Sequence, residues 1–180
     1  AALAAGLVRT PVDAALIDEV FSALRSEYSA GRVQLAAFER AVPDPPPEVE
    51  VFRVDLVLVL KNVLRNALLA VGRSSDGKAR VRVDVDIELE PTGEEQVVVR
   101  VHDTATDALT TEAIYERRVD RGLGLVTAAL DRYDGAITVE EGAPGYRKSV
   151  ALRFFRVLAE DDALDVDPPP QAPTESGEHT

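Results

Sequence analysis

The segment Asn62-Val63-Leu64-Arg65-Asn66-Ala67 lies inside the most apolar stretch of the chain, which runs from Phe52 to Val71. Neither Gly nor Pro interrupts that stretch, so we predict one long helix there, buried on most sides. Four polar residues lie on one face of this predicted helix, at intervals of seven, four and seven residues: Asp55, Asn62, Asn66 and, just beyond Val71, Arg73. Asn is a poor residue for a helix interior. The pair at 62 and 66 therefore predicts a polar site, with both amides pointing the same way.

A β-hairpin is predicted next along the chain. Ala79 to Glu90 alternates Val and Ile with charged residues, as a strand with one exposed face does. Pro91-Thr92-Gly93-Glu94 turns the chain, and Gln96 to His102 returns as a second strand. Asp103 ends that strand. A carboxylate in this position can accept a hydrogen bond from an amine.

A glycine-containing segment, Arg121-Gly122-Leu123-Gly124-Leu125, opens another predicted helix, which continues to Tyr133. Two glycines just before a helix let backbone N–H groups face a phosphate, and the positive end of the helix dipole favours the anion. Arg121 can supply the cation that a transferring phosphoryl group needs. The segment is therefore a candidate phosphate site.

The remaining segments complete an α+β pattern. They are predicted as a helix over 11–30 with Pro11 in its first turn, strands over 32–40, 136–140 and 149–157, and an irregular polar segment over 104–121. Antiparallel strands mixed with helices on one side form a two-layer α/β sandwich. We therefore predict a mixed, mostly antiparallel sheet of about five strands, covered on one face by about three helices.

Composition limits the class of protein and its partners. The chain has no Cys, which excludes a disulfide framework and a thiolate metal site, and no apolar run reaches membrane-spanning length. The net charge of −12 argues against nucleic acid or an anionic membrane as a partner. Seven of the acids lie in 158–180, which has no Lys or Arg, so the rest of the chain has 25 acids against 20 bases, a net of −5.

Three parts of the chain are distinguished by composition. We expect residues 1–10 to be the stub of an upstream helix, 11–157 to form the folded domain, and 158–180 to be a disordered, acidic, Pro-rich tail. The chain starts at Ala1 and contains no Met, which we interpret as a piece of a longer protein.

In this order and spacing, the asparagine helix, the strand ending at Asp103 and the glycine segment resemble the ATP-binding catalytic domain of sensor histidine kinases. That family belongs to the superfamily shared with gyrase, the Hsp90 chaperones and the mismatch-repair ATPase MutL. The likeness covers roughly 11–157. It includes the helix after Gly124, the Gly at 135, and the strand Ile137-Thr138-Val139-Glu140.

The resemblance implies a site for ATP and Mg²⁺, with 104–121 as a lid over the nucleotide. Asn66 would ligate Mg²⁺, Asn62 would lie beside the phosphates, and Asp103 would read the adenine. Asn62 and Arg121 would be the catalytic residues. The full set of implied nucleotide-binding residues is Asn62, Asn66, Asp103, Ala105, Arg121, Gly122, Leu123, Gly124 and Leu125.

The chain departs from the family in one motif. The family pattern is Asp-x-Gly-x-Gly, whereas this chain has Asp103-Thr104-Ala105-Thr106-Asp107. The glycines let backbone approach the nucleotide and let the lid hinge. Ala105 would fit at some cost, and we expect Asp107 to bring a negative charge near the polyphosphate.

The resemblance also implies partners outside this chain. His102 lies in a predicted strand and His179 in the predicted tail, so neither is expected to accept a phosphoryl group. A cytoplasmic histidine kinase would supply that histidine on an upstream dimerisation hairpin, would act on a response regulator, and would be a homodimer. We expect no nucleic acid and no membrane contact by this domain. Two alternatives stay open: a decayed fold serving as a scaffold or as a phosphotransfer module that docks a regulator, and an anti-sigma-factor-type serine kinase.

Overall fold

The computed structural model describes residues 8–29, 37–73, 79–116 and 122–158. In those residues it contains seven strands: β1 (Thr10–Pro11), β2 (Ala37–Ala41), β3 (Glu48–Val49), β4 (Arg80–Leu89), β5 (Glu95–Asp103), β6 (Ala136–Glu141) and β7 (Lys148–Val157). The same residues contain four α-helices: α1 (Ala14–Ser29), α2 (Arg53–Arg73), α3 (Thr111–Tyr115) and α4 (Leu123–Leu130). A 3₁₀ turn, Asp131–Tyr133, follows α4.

The strands form one sheet in the order β1-β3-β7-β5-β4-β2, and β6 also pairs with β7. Only the β2–β4 pair is parallel among the described strands; the other pairs are antiparallel. The predicted two-layer sandwich with a mixed, mostly antiparallel sheet is therefore confirmed. The sheet has more strands than the five expected because β1 and β3 are two residues long, and so short a strand shows no alternation.

The core lies between the sheet and its helices. Alternate residues of β4 and β5 face the helices and are buried: Val81, Val83, Val85, Val97, Val99 and Val101. The long helix α2 packs against β4 and β5, and α1 and α4 pack against α2. The residues of α2 between Leu56 and Val71 are mostly buried, as the apolar run predicted.

The start of α1 differs from the prediction for Pro11. Pro11 pairs with Glu48 in the edge strand β1, where a residue without an N–H is tolerated, instead of opening the helix. Asp13 precedes the helix, and its Oδ1 accepts a 2.7 Å hydrogen bond from the Leu16 N–H. Thr10 Oγ1 donates to the Val51 carbonyl at 2.6 Å, which ties the edge strand to the loop before α2.

Several predicted segments lie outside the described residues, either wholly or in part. These are most of the N-terminal stub, nearly all of the acidic tail, the first part of the strand expected over 32–40, and the end of the lid with Arg121. The three-part division of the chain stays a prediction.

Candidate functional site

Asp103 lies at the end of β5, directly opposite Lys148, the first residue of β7. Asp103 has the same parity along β5 as the buried residues Val99 and Val101, so its side chain faces the helices. Only 1% of Asp103 is exposed, and Lys148 is also buried. The strand register therefore places one acidic and one basic side chain next to each other in the buried layer.

The carboxylate of Asp103 is held by two donors on one oxygen. Oδ1 accepts from the Ala105 N–H at 2.9 Å and lies 3.2 Å from Lys148 Nζ. Burial raises the pKa of Asp103, while Lys148 and the Ala105 N–H act in the opposite direction. The Asp103 carbonyl also accepts from the Arg147 N–H at 2.9 Å. The acid is thus oriented by its own turn and by the loop that leads into β7.

Asp107 also contacts Lys148 Nζ. The charge expected at this position from the sequence is therefore paired with a cation. Ala105, where the family has its first glycine, is buried in the core, with 2% exposed. Sequence reasoning missed Lys148. The alternation Lys148, Val150, Leu152, Phe154 along β7 is the signal that could have placed it on the buried face.

The two asparagines occupy successive turns of α2. Asn62 is 9% exposed, and its Nδ2 donates to the Leu58 carbonyl at 2.8 Å. This bond uses one N–H of the amide, so the oxygen and the second N–H are left for a partner off the helix. Asn66 is half-buried. Further along the predicted polar stripe, Asp55 accepts hydrogen bonds from Tyr133 and Arg132, which follow α4.

The glycine segment leads into α4, which packs against α2. Gly122 has φ +30°, a backbone conformation that a side chain would strain, and its carbonyl accepts from the Leu125 N–H at 3.1 Å. Leu123 and Gly124 are buried at the start of the helix, where the first N–H groups have no acceptor earlier in the helix. Leu125 is 38% exposed. The packing of α2 on α4 brings the asparagine helix and the glycine helix together.

Solved structures of sensor histidine kinases superpose on most of this chain. The mycobacterial sensor histidine kinase MprB matches with a TM-score of 0.60 and 20% identity over 83% of this chain and 98% of its own. The ATP-binding domain of PrrB from Mycobacterium tuberculosis gives 0.61 and 19% over 84% and 98%. The nucleotide-free catalytic domain of the histidine kinase ThkA gives 0.60 and 17% over 83% and 96%. This chain has the histidine kinase ATP-binding fold. No protein-family model and no curated protein matches the sequence.

At identities this low the similarity establishes the fold alone, and the chemistry depends on the side chains that this chain places in the site. Among the described residues, no group of three or more His, Asp or Glu side chains is gathered to hold a metal ion. The Asn66 amide oxygen is a hard ligand of the kind that Mg²⁺ takes beside phosphate oxygens. None of the described helices is long and apolar enough to cross a membrane.

His102 lies on the opposite face of the sheet from Asp103. It is 3% exposed, its Nδ1 accepts from the Ala143 N–H at 3.2 Å, and its Nε2 lies 3.3 Å from Asp84 Oδ2. Burial lowers the pKa of His102, and the Asp84 carboxylate opposes that shift. The His102 imidazole therefore packs between β5 and the 142–146 loop.

Proposed function

We propose that this chain binds ATP with Mg²⁺ and supplies the γ-phosphoryl group to a histidine on a separate dimerisation hairpin. It would do so as the catalytic domain of a cytoplasmic two-component sensor histidine kinase. The observation that carries the proposal is the buried carboxylate of Asp103 at the end of β5, in a fold shared with histidine kinase catalytic domains. A buried carboxylate at the end of a strand can accept a hydrogen bond from the exocyclic amine of a base.

The adenine would lie against Asp103, whose carboxylate accepts from the exocyclic amine. Because Oδ1 already holds the Ala105 N–H and Lys148 Nζ, the amine would bind at Oδ2. The carboxylate can select adenine because a guanine presents a carbonyl oxygen where adenine presents its amine.

The triphosphate would extend from there towards the asparagine and glycine helices. Asn66 is assigned to Mg²⁺ and Asn62 to the phosphates, with the Asn62 amide oriented by its bond to the Leu58 carbonyl. The N–H groups of Leu123 and Gly124 at the start of α4 would face a phosphate, whereas the Leu125 N–H donates to the Gly122 carbonyl. Gly122 lets the chain enter that helix. Arg121 would stabilise the γ-phosphoryl group in transfer. Mg²⁺ would neutralise part of the phosphate charge.

Access to Asp103 requires a movement of the segment after β5. At 1% exposure the carboxylate is closed to a base in this structure, and Asp107 of that segment contacts Lys148. We therefore assign the lid role to the segment beginning at Thr104. The only aromatic residue in the sequence of this segment is Tyr115. The Tyr115 hydroxyl accepts a 3.4 Å hydrogen bond from the Ile137 N–H of β6.

A second candidate is a binding module with a decayed pocket. It is favoured by the Ala and Asp at the two glycine positions and by the ion pair that already engages Asp103. Such a module would serve as a scaffold or dock a response regulator without transferring a phosphoryl group. The kinase and the module differ in whether a phosphoryl group is transferred to the histidine hairpin.

Calorimetric titration of the chain with a non-hydrolysable ATP analogue, with and without Mg²⁺, tests the proposal. We expect Mg²⁺-dependent binding with a dissociation constant of the order of 10 µM to 1 mM, or about −4 to −7 kcal/mol on the affinity scale, since the lid hinge lacks its glycines. No heat at millimolar nucleotide would instead support the binding module.

Transfer is tested separately, with ATP labelled in its γ-phosphoryl group and a histidine hairpin supplied in trans. The expected product is an acid-labile phosphohistidine on the hairpin. Nucleotide binding without any labelled hairpin would count against the kinase and leave the module standing. The same assay with response regulator in place of the hairpin should label nothing, because the regulator takes its phosphoryl group from the phosphohistidine.

A further inference from the structure

Lys148 is a buried amino group on the helix-facing side of the sheet, and the proposed function gives it no task. Only 7% of the residue is exposed. Lysine is almost never buried to this degree unless it is paired. Its position is set by the sheet, because its register partner on β5 is Asp103.

Three groups define the surroundings of the Lys148 ammonium. Its Nζ lies 3.2 Å from Asp103 Oδ1 and contacts the Asp107 carboxylate, and the Ala105 N–H shares the same Asp103 oxygen. The two carboxylates come from both ends of the 103–107 turn. The ammonium is thus held from two sides, beside the acid that would read the base.

The geometry of the Asp103 carboxylate determines which atom of a bound base would lie next to the Lys148 ammonium. Its two oxygens are close together, so a base amine bound at Oδ2 brings the neighbouring ring position towards a donor bound at Oδ1. In adenine the position next to the exocyclic amine is N1, which is a hydrogen-bond acceptor. An ammonium has three donors, so Nζ can keep its carboxylates and still donate to N1.

We propose that Lys148 is a specificity-determining residue that donates a hydrogen bond to N1 of adenine while Asp103 accepts from the N6 amine. The inference rests on the proposed ATP binding and names the group that completes base recognition. Asp107 acts as a positioning residue, since its carboxylate holds the ammonium over the turn. The Asp107 side chain, in place of glycine, then contributes to the site by orienting its donor.

The test uses the unaltered chain, so it does not depend on the folding of a variant. Calorimetry with Mg²⁺ compares ATP with 1-deaza-ATP, which replaces N1 by C–H and keeps the amine, and with 7-deaza-ATP as the matched control. A hydrogen bond from a charged donor predicts that 1-deaza-ATP binds at least about tenfold more weakly than ATP. The 7-deaza analogue should bind within about twofold of ATP, because the proposed contacts of Lys148 and Asp103 place no donor at N7.

A pair of variants locates the effect on Lys148. Lys148→Met removes the donor and should bind ATP and 1-deaza-ATP with equal affinity, whereas Lys148→Gln keeps a neutral donor and should retain part of the preference. Lys61→Met removes a lysine that pairs with Glu27 between α1 and α2, and should keep the full preference.

The outcomes separate the two proposals. Equal binding of ATP and 1-deaza-ATP to the unaltered chain would overturn the role of Lys148 and leave ATP binding intact. Preference for GTP over ATP would also overturn it, because the pair would then read a guanine. Absence of binding by every nucleotide would overturn the proposed function and, with it, this inference.

Discussion

Lys148 Nζ and Asp103 Oδ1 lie 3.2 Å apart, between two residues that the β5–β7 register places directly opposite each other. Both side chains are buried on the helix-facing side of the sheet. The ion pair joins the end of the strand expected to read the base to the start of the last strand. Removing either partner leaves a buried charge, so this pair affects stability as well as binding.

Lys148→Met should destabilise the fold by about 3 kcal/mol, because it leaves Asp103 buried without its cation. Urea denaturation of the single variants and of Lys148→Met/Asp103→Asn measures the coupling, which we expect to reach at least about 1 kcal/mol. Lys61→Met is the control, since its solvent-screened ion pair with Glu27 should change the stability much less than the buried pair does. Additive effects of the two substitutions would show that the pair is not coupled.

Asp103→Asn should remove selectivity for ATP over GTP, because the carboxylate that accepts from the adenine amine is replaced by an amide that can also donate. We expect ATP to bind about tenfold more weakly, on the scale of one hydrogen bond to a charged group. Competition calorimetry with both nucleotides measures the change. Asp86→Asn, on the exposed face of β4, should keep the selectivity of the unaltered chain. Unchanged selectivity in Asp103→Asn would show that the acid is structural.

Asn66→Asp should change the Mg²⁺ dependence of binding. The new carboxylate repels the phosphates in the absence of the metal and adds a ligand charge in its presence, so the ratio of the two affinities should rise about tenfold. Nucleotide titrations at several Mg²⁺ concentrations measure that ratio. Val54→Asp places the same charge on an exposed position of α2 and should leave the ratio unchanged. An equal shift in both variants would indicate a general charge effect.

Ala105→Gly should cost about 1–2 kcal/mol of stability, since it removes a buried methyl group and gives the unfolded chain more freedom. The variant restores one glycine of the family motif, so its nucleotide affinity also reports whether the hinge limits binding. Denaturant unfolding gives the stability. Ala108→Gly, at an exposed position of the same segment, should lose less than about 1 kcal/mol, since only the chain-entropy effect applies. A loss at Ala105 no larger than at Ala108 would contradict the burial argument.

Acidification should destabilise the domain through His102. Burial lowers the pKa of His102 below its ordinary value of 6.5, so the unfolded chain binds a proton at a pH where the folded protein does not. The stability contribution is complete above pH 6.5 and is lost as the pH falls through the lower folded pKa, at up to about 1.4 kcal/mol per pH unit. Unfolding curves at pH 7.5 and 5.5 should show a smaller loss for His102→Gln. His179→Gln should behave as the unaltered chain does.

Much of the fold could be predicted because it depends on local patterns. The apolar run of α2, the alternation in β4 and β5, and the helix after Gly122 each carry their own periodicity, and all three elements are present. The edge strands β1 and β3 could not be predicted, since two residues carry no period and their pairing depends on distant partners. For the same reason the sequence predicts Pro11 in the first turn of a helix, whereas it lies in strand β1.

The sequence by itself determined the order of the longer elements, and it placed Asp103 at the end of β5 and Gly122 before α4. Only the tertiary structure determined which side chains those residues contact. Asp103 and Lys148 are far apart in the chain and become neighbours through strand register, which is set by hydrogen bonding between β5 and β7. Asp107, expected as a free charge, acquires a cation for the same reason. Burial and ion pairing depend on how the strands and helices pack together. A local sequence pattern could therefore identify Asp103 but not its partner Lys148.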